Sequence, residues 1–213
     1  MHRKLLMALA AACVVSTAQA KPEIFTIDPA HTYPSFEAPH AEQLSLWRGK
    51  FNKSSGKLTL DRANKTGTVS ITIDAASVDF GHDIMNQVAR GPDYFNVEKY
   101  PTATYQGTLV FKGDTVTEVK GDFTLLGVTK PLNLKVNWFK CVQSKMLKRE
   151  MCGTDAYAEF NRGDWGLTEN IQNGPMVTLR IAAEAVAGDQ VPGPPPGWKP
   201  PAGNASSATP PSN

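Results

Sequence analysis

The sequence predicts an all-β fold: an antiparallel barrel or sandwich of about eight or nine strands, with one short helix. Three observations carry that expectation. Apolar residues recur with period two in run after run, which is the pattern of half-buried strands. Only one internal stretch has helical spacing. Turn signals separate the runs, and no repeated crossover helices are available to build a parallel sheet.

In chain order, Met1 to Ala20 has a basic start, an apolar run from Leu5 to Val15 and a small-x-small end at Ala18-Gln19-Ala20, the features of a secretory signal peptide. Its run of about 11 apolar residues falls short of the ~20 needed to cross a bilayer core. Cys13 raises a second reading, a lipid-anchored mature N-terminus. Ala10-Ala11-Ala12 lacks the large aliphatic residue usual at that site, and Val14-Val15 continues the apolar run. Residues 21–187 then form the expected folded domain.

Leu58 and Leu60 bracket Thr59 before an Asn64-Lys65-Thr66-Gly67 turn, and Val69, Ile71 and Ile73 alternate with Ser70, Thr72 and Asp74. From Gly81 to Phe95 the spacing of Ile84, Met85 and Val88 predicts the helix, which Gly91-Pro92 stops. Ala103, Tyr105, Gly107, Leu109 and Phe111 then share one face of a strand; Leu132, Leu134, Val136 and Trp138 share another; Val177, Leu179 and Ile181 a third. Residues 188–213 hold eight of the sixteen prolines and too few apolar residues to fold, so a disordered, polyproline-type tail is expected there.

Without the first twenty residues, which carry Arg3 and Lys4 and no acid, the formal charge falls from +2 to zero. No global attraction to nucleic acid or an anionic membrane follows. Export would place Cys141 and Cys152 in an oxidising compartment, where a structural disulfide is expected in preference to a metal site or redox pair. The intervening polar, basic segment reads as a loop between two strands. Of the remaining histidines, His31, His40 and His82, none sits in a nucleophile or metal motif, so no catalytic residue, metal or cofactor is assigned.

A closed barrel of about eight strands has an interior that side chains fill or that holds one small ligand. Small residues such as Ala103 and Gly107 beside Tyr105 and Phe111 fit either a slot for an apolar guest or relief of crowding in a packed core. Composition does not separate the two.

Longer strings carry a resemblance. Ile27-Asp28-Pro29-Ala30-His31-Thr32, Trp47-Arg48-Gly49-Lys50-Phe51, the run from Asp93 to Tyr105, the run from Gly121 to Pro131, and Phe160-Asn161-Arg162-Gly163-Asp164-Trp165-Gly166-Leu167 resemble, in order and spacing, the bacterial YceI-like family. The resemblance extends from Phe25 to Ala187. It implies an extended, lipocalin-like antiparallel barrel exported to the periplasm, or held at the cell surface, that binds a polyisoprenoid or prenyl-quinone lipid in an apolar tunnel. It implies no catalysis, and a possible homodimer. The alternative is an exported small enzyme or stress-response protein acting on an apolar substrate held in the tunnel.

Expected lining residues are Phe36, Trp47, Phe51, Phe95, Tyr105, Phe111, Leu125, Leu134 and Trp138. Many relatives carry several charged residues before the Asp93 string, and here Arg90 alone remains of them. It is the residue expected to meet a pyrophosphate or quinone oxygen at the tunnel mouth. An integral outer-membrane barrel is not expected, because the outward positions are rich in Thr, Asn and Lys.

Overall fold

The computed structural model describes residues 21–190, so the expected signal peptide and nearly all of the proline-rich tail lie outside the described residues. Twelve strands form one antiparallel sheet: β1 (Glu23–Ile27), β2 (Tyr33–His40), β3 (Ser45–Phe51), β4 (Ser54–Asp61), β5 (Thr66–Asp74), β6 (Val78–Asp79), β7 (Thr102–Lys112), β8 (Thr115–Leu125), β9 (Val128–Pro131), β10 (Leu134–Gln143), β11 (Glu150–Asn161) and β12 (Met176–Ala187). The order β1-β4-β5-β7-β8-β10-β11-β12 closes on itself because β12 also pairs β1. The fold is therefore an eight-stranded antiparallel barrel with one helix, α1 (Asp83–Arg90).

Neighbouring positions on the barrel wall are broken at similar levels, and these breaks create the site. β1 and β2 lie end to end along β12, β1 against Ala185–Ala187 and β2 against Thr178–Ala182. β4 and β3 continue the same division, separated at Asn52-Lys53, while a 3-10 turn at Ala75–Ser77 divides β5 from β6. One half closes through β1, β4 and β5; the other ends at β6, against which α1 packs.

The break between β1 and β2 buries polar groups, and each finds a partner. Asp28 accepts from Ala30 N and pairs with His31, the Thr32 hydroxyl donates to Glu184 O, and the buried Ser54 hydroxyl donates to Thr32 O. Such satisfaction is what permits an interrupted strand inside a folded wall.

Glycine is required at one close approach on this wall. A Cβ on Gly49 would stand 2.6 Å from the ring of its cross-strand partner Phe36, so the missing side chain lets that ring lie across β3.

The disulfide expectation holds. Cys141 and Cys152 are register partners on β10 and β11 and are bonded, with Cα atoms 4.0 Å apart. The helix is shorter than the Gly81–Phe95 stretch that suggested it. His82 caps its N-terminus, accepting from Met85 N at 3.4 Å, and its apolar spacing does not mark a buried stripe: Asn86 and Ala89 are buried, whereas Ile84 and Val88 are 68% and 53% exposed.

Candidate functional site: an apolar cavity with one cationic end

Inside the barrel is a cavity of about 670 Å³. It reaches solvent at the broken end, where α1, the β2–β3 hairpin and the 166–174 loop supply wall residues that are themselves exposed. The hairpin tip has three successive residues with left-handed backbone, Ala41, Glu42 and Gln43, at φ 48°, 53° and 72°. The tip meets the loop across the mouth, with Glu42 N donating to Asn173 Oδ1 at 3.3 Å.

Two aromatic groups shape the walls. Phe36 and Phe51 each pack against Phe95, with centroids 6.1 and 5.4 Å away, and Phe80 closes on Phe36 edge-on at 5.5 Å. Beyond them Phe123, Phe160 and Trp165 form a second group, and Trp165 donates its indole N–H to Phe123 O. Edge-to-face packing of this kind is worth about 0.5–1.5 kcal/mol a pair beyond the area buried, and none of these contacts needs a guest.

Tyr105 sits at the floor. Its hydroxyl lies 2.9 Å from Leu132 O and 3.1 Å from Val119 O, beside the short pairing of β8 with β10. Burial, with the charges of Asp122 and Glu118, pushes its phenol pKa up, so it stays a protonated donor. The ring lies over a Gly107–Gly121 cross-strand pair: a Cβ at Gly107 would be 2.9 Å from it, and one at Gly121 2.7 Å. These glycines therefore make room for Tyr105 rather than for a guest. A smaller cavity of about 90 Å³ lies beyond the floor, sharing Ile71, Tyr105, Leu134, Ile181 and Ala183 with the first.

Of the lining residues expected from sequence, Phe36, Trp47, Phe51, Phe95, Tyr105, Leu125 and Leu134 stand in the wall of the main cavity. Trp138 does not. A bulge between Val136 and Trp138 reverses the phase of β10, leaving Trp138 55% exposed and sending Phe139 into the smaller cavity. Phe111 follows a similar irregularity at Val110 and packs on the core away from both cavities.

Arg90 is also placed elsewhere. Its Nε donates to Ala76 O at 2.8 Å and its Nη2 reaches Val78 O at 3.4 Å, so it ties the end of α1 to the 3-10 turn and β6.

The cation in the wall is Arg162, 7% exposed, at the end of β11. Nη1 donates to Leu167 O at 3.1 Å and Glu169 O at 2.7 Å, and Nε to Gly174 O at 3.4 Å. Burial lowers its pKa against the opposing pull of Tyr94 and Glu169. In the sequence this residue stands out only as part of a family string, because no local pattern shows that an arginine just past a strand is buried.

The histidines have local structural roles. His31 pairs with Asp28 at 2.8 Å, His82 caps α1, and His40 stacks on Trp47 at 3.9 Å in the cavity wall. Among the described residues, no group of three or more His, Cys, Asp or Glu side chains is placed to hold a metal. No helix among them is long and apolar enough to cross a membrane.

A closed antiparallel barrel with a preformed, solvent-reaching, mostly apolar cavity is a small-ligand binding fold. The chain belongs to the YceI-like family, whose domain matches residues 25–186. Among its relatives, UPF0312 proteins of Vibrio cholerae serotype O1 are 36% identical over 135 residues, covering 61% of this chain and 71% of theirs. A UPF0312 protein of Pseudomonas aeruginosa is 36% identical over 139 residues, covering 63% and 72%. Solved structures share the fold at lower identity. The Campylobacter jejuni YCEI protein superposes with TM-score 0.60 at 23% identity, covering 71% of this chain and 91% of that one. Burkholderia cenocepacia BcnA gives 0.59 at 20%, covering 74% and 98%. A polyisoprenoid binding domain from Saccharophagus degradans, implicated in plant cell wall breakdown, gives 0.54 at 18%, covering 78% and 99%.

Proposed function

We propose that this protein is an exported carrier or store for a polyisoprenoid or prenyl-quinone lipid, which it holds in the barrel cavity. The observation that carries the reading is the cavity itself: about 670 Å³, walled by Phe, Leu, Ile, Val and Ala, and reaching solvent at one end. Burying an isoprenoid chain there gains ~25 cal/mol for each Å² taken out of water, with no directional bond needed along the tail. The Saccharophagus degradans neighbour, named for polyisoprenoid binding, supports the same class of ligand. Binding without turnover is favoured over an enzyme, because the histidine in the cavity wall is stacked on Trp47 and, among the described residues, is hydrogen-bonded to no Ser or Cys.

The test is native mass spectrometry of the protein purified from its own compartment, followed by organic extraction of what remains bound. A stoichiometric prenyl lipid is expected, and Ala38→Trp, which places bulk in the cavity wall near its mouth, should lower occupancy several-fold. The same spectrum reads whether two copies associate. A protein that is repeatedly empty and also takes up no added prenyl lipid would overturn the reading.

A further inference from the structure

The two cavities inside the barrel are separate spaces with a shared partition. Ile71, Tyr105, Leu134 and Ile181, with Ala183, line both, so side chains from β5, β7, β10 and β12 form a waist between them. Tyr105 is held there. Swinging it aside would part its buried hydroxyl from Leu132 O and Val119 O and lift its ring from the Gly107–Gly121 pair. Beyond the smaller cavity the barrel is filled. Phe25 is fully buried next to its register partner Leu58, which lines that cavity, and the Arg62 guanidinium stands 5.9 Å over the Phe25 ring. Arg62 is itself held by Glu23 and by Glu150, the latter at 2.9 Å.

A space closed at one end limits the length of a chain that enters at the other. An apolar cavity of about 150 Å³ holds one benzene, roughly 25 Å³ for each carbon. At that rate the main cavity of about 670 Å³ takes roughly 27 carbons, about five prenyl units. The smaller cavity, about 90 Å³, takes less than one unit. A longer chain would leave its surplus in water at the mouth, where each exposed unit weakens binding by about tenfold or more.

We propose that the barrel is blind at this waist and that its ligand is a short prenyl chain, of about five units or fewer, so that long polyprenyl chains are excluded. This rests on the lipid-binding reading above and narrows it to a class of chain length. Selection by length needs no directional bond. A tail that fits exchanges one apolar surrounding for another when it leaves a bilayer, whereas a tail that does not fit exposes its surplus. Ile71, Tyr105, Leu134 and Ile181 are the stop, and Ile181 is the part of it that a substitution removes most simply. Cutting it back to alanine would join the two cavities and lengthen the space by about one unit.

The test mixes the delipidated full-length protein with phosphatidylcholine vesicles that carry one prenyl alcohol at a time, from farnesol and geranylgeraniol through geranylfarnesol and hexaprenol to octaprenol. After the vesicles are spun out, the alcohol on the protein is measured against the alcohol left in the vesicles. That ratio should vary by less than about threefold up to about five units, then fall about tenfold or more with each further unit. I181A should move the fall outward by about one unit. A185F, which fills the smaller cavity, should leave the unmodified profile as it is and cancel the shift when combined with I181A. Should I181A fail to fold, I71A opens the same waist from β5. A ratio that stays level through octaprenol in the unmodified protein overturns the length limit and leaves the lipid carrier intact. A fall that neither opening variant moves overturns the waist as its cause. Alcohol of no length on the protein overturns the carrier reading and the limit together.

Discussion

Asp79 and His31 are two side chains whose protonation the fold has biased in opposite directions, and both sit at breaks in the wall. Asp79 accepts from Gly81 N at 2.7 Å, from Asn52 Nδ2 at 3.1 Å and from Asn86 Nδ2 at 3.0 Å, which lowers its pKa to about 2. A carboxylate depressed in the folded state stabilises it above the ordinary value of 3.8, and that contribution disappears as pH falls through about 2. His31 is shifted the other way, upward from 6.5, chiefly by its hydrogen bond to Asp28. Its contribution is complete below 6.5 and is lost as pH rises through the folded-state value. Thermal melting across pH should therefore fall on the acid side less steeply in Asp79→Asn than in the parent, and on the neutral-to-basic side less steeply in His31→Asn. Identical slopes in parent and variant would show that these contacts do not hold the breaks together.

At the scale of elements, the β10–β11 hairpin is the part of the wall with most dependence on a covalent tie. β10 pairs with β8 only through Leu134 and Lys135, then bulges away and relies on β11. The bond between Cys141 and Cys152 therefore ties to β11 the part of β10 that, beyond Lys135, has no other strand neighbour among the described residues. Reduction, or a Cys141→Ser/Cys152→Ser double variant, should cost roughly 2.5–3 kcal/mol on the loop-closure account. Denaturant unfolding measures that loss, and hydrogen exchange should place the new opening in residues 134–161 first. A uniform rise in exchange over the whole barrel would contradict a local role.

For the whole molecule, binding and stability should be linked through the cavity. A ligand that occupies only the folded barrel adds about 2.7 kcal/mol when its free concentration is a hundred times Kd. Delipidated protein should accordingly melt several degrees lower than protein carrying its ligand, with the gap restored by added prenyl lipid. The same lipid should add little to Ala38→Trp. The aromatic wall also predicts that the empty barrel stays cooperatively folded, because Phe36, Phe51, Phe80 and Phe95 pack on one another without a guest. A broad, non-cooperative melt after lipid removal would contradict this.

The sequence by itself determined the fold class, the single helix, the disulfide partners and the family, because strand periodicity, turn residues and long motif strings are local or ordered features of the chain. It also placed Phe36, Phe51 and Leu134 on faces that became cavity wall. The tertiary structure decided the rest. Period two identifies the face of a strand only until a bulge reverses its phase, which is why Trp138 lies outside and Phe139 inside. Composition does not distinguish a glycine that opens a cavity from one that seats a ring, and Gly107 seats Tyr105. Nor does charge in a sequence carry its own burial: Arg90 and Arg162 are equally basic on paper and backbone carbonyls hold both, but Arg90 is exposed while Arg162 is buried in the cavity wall.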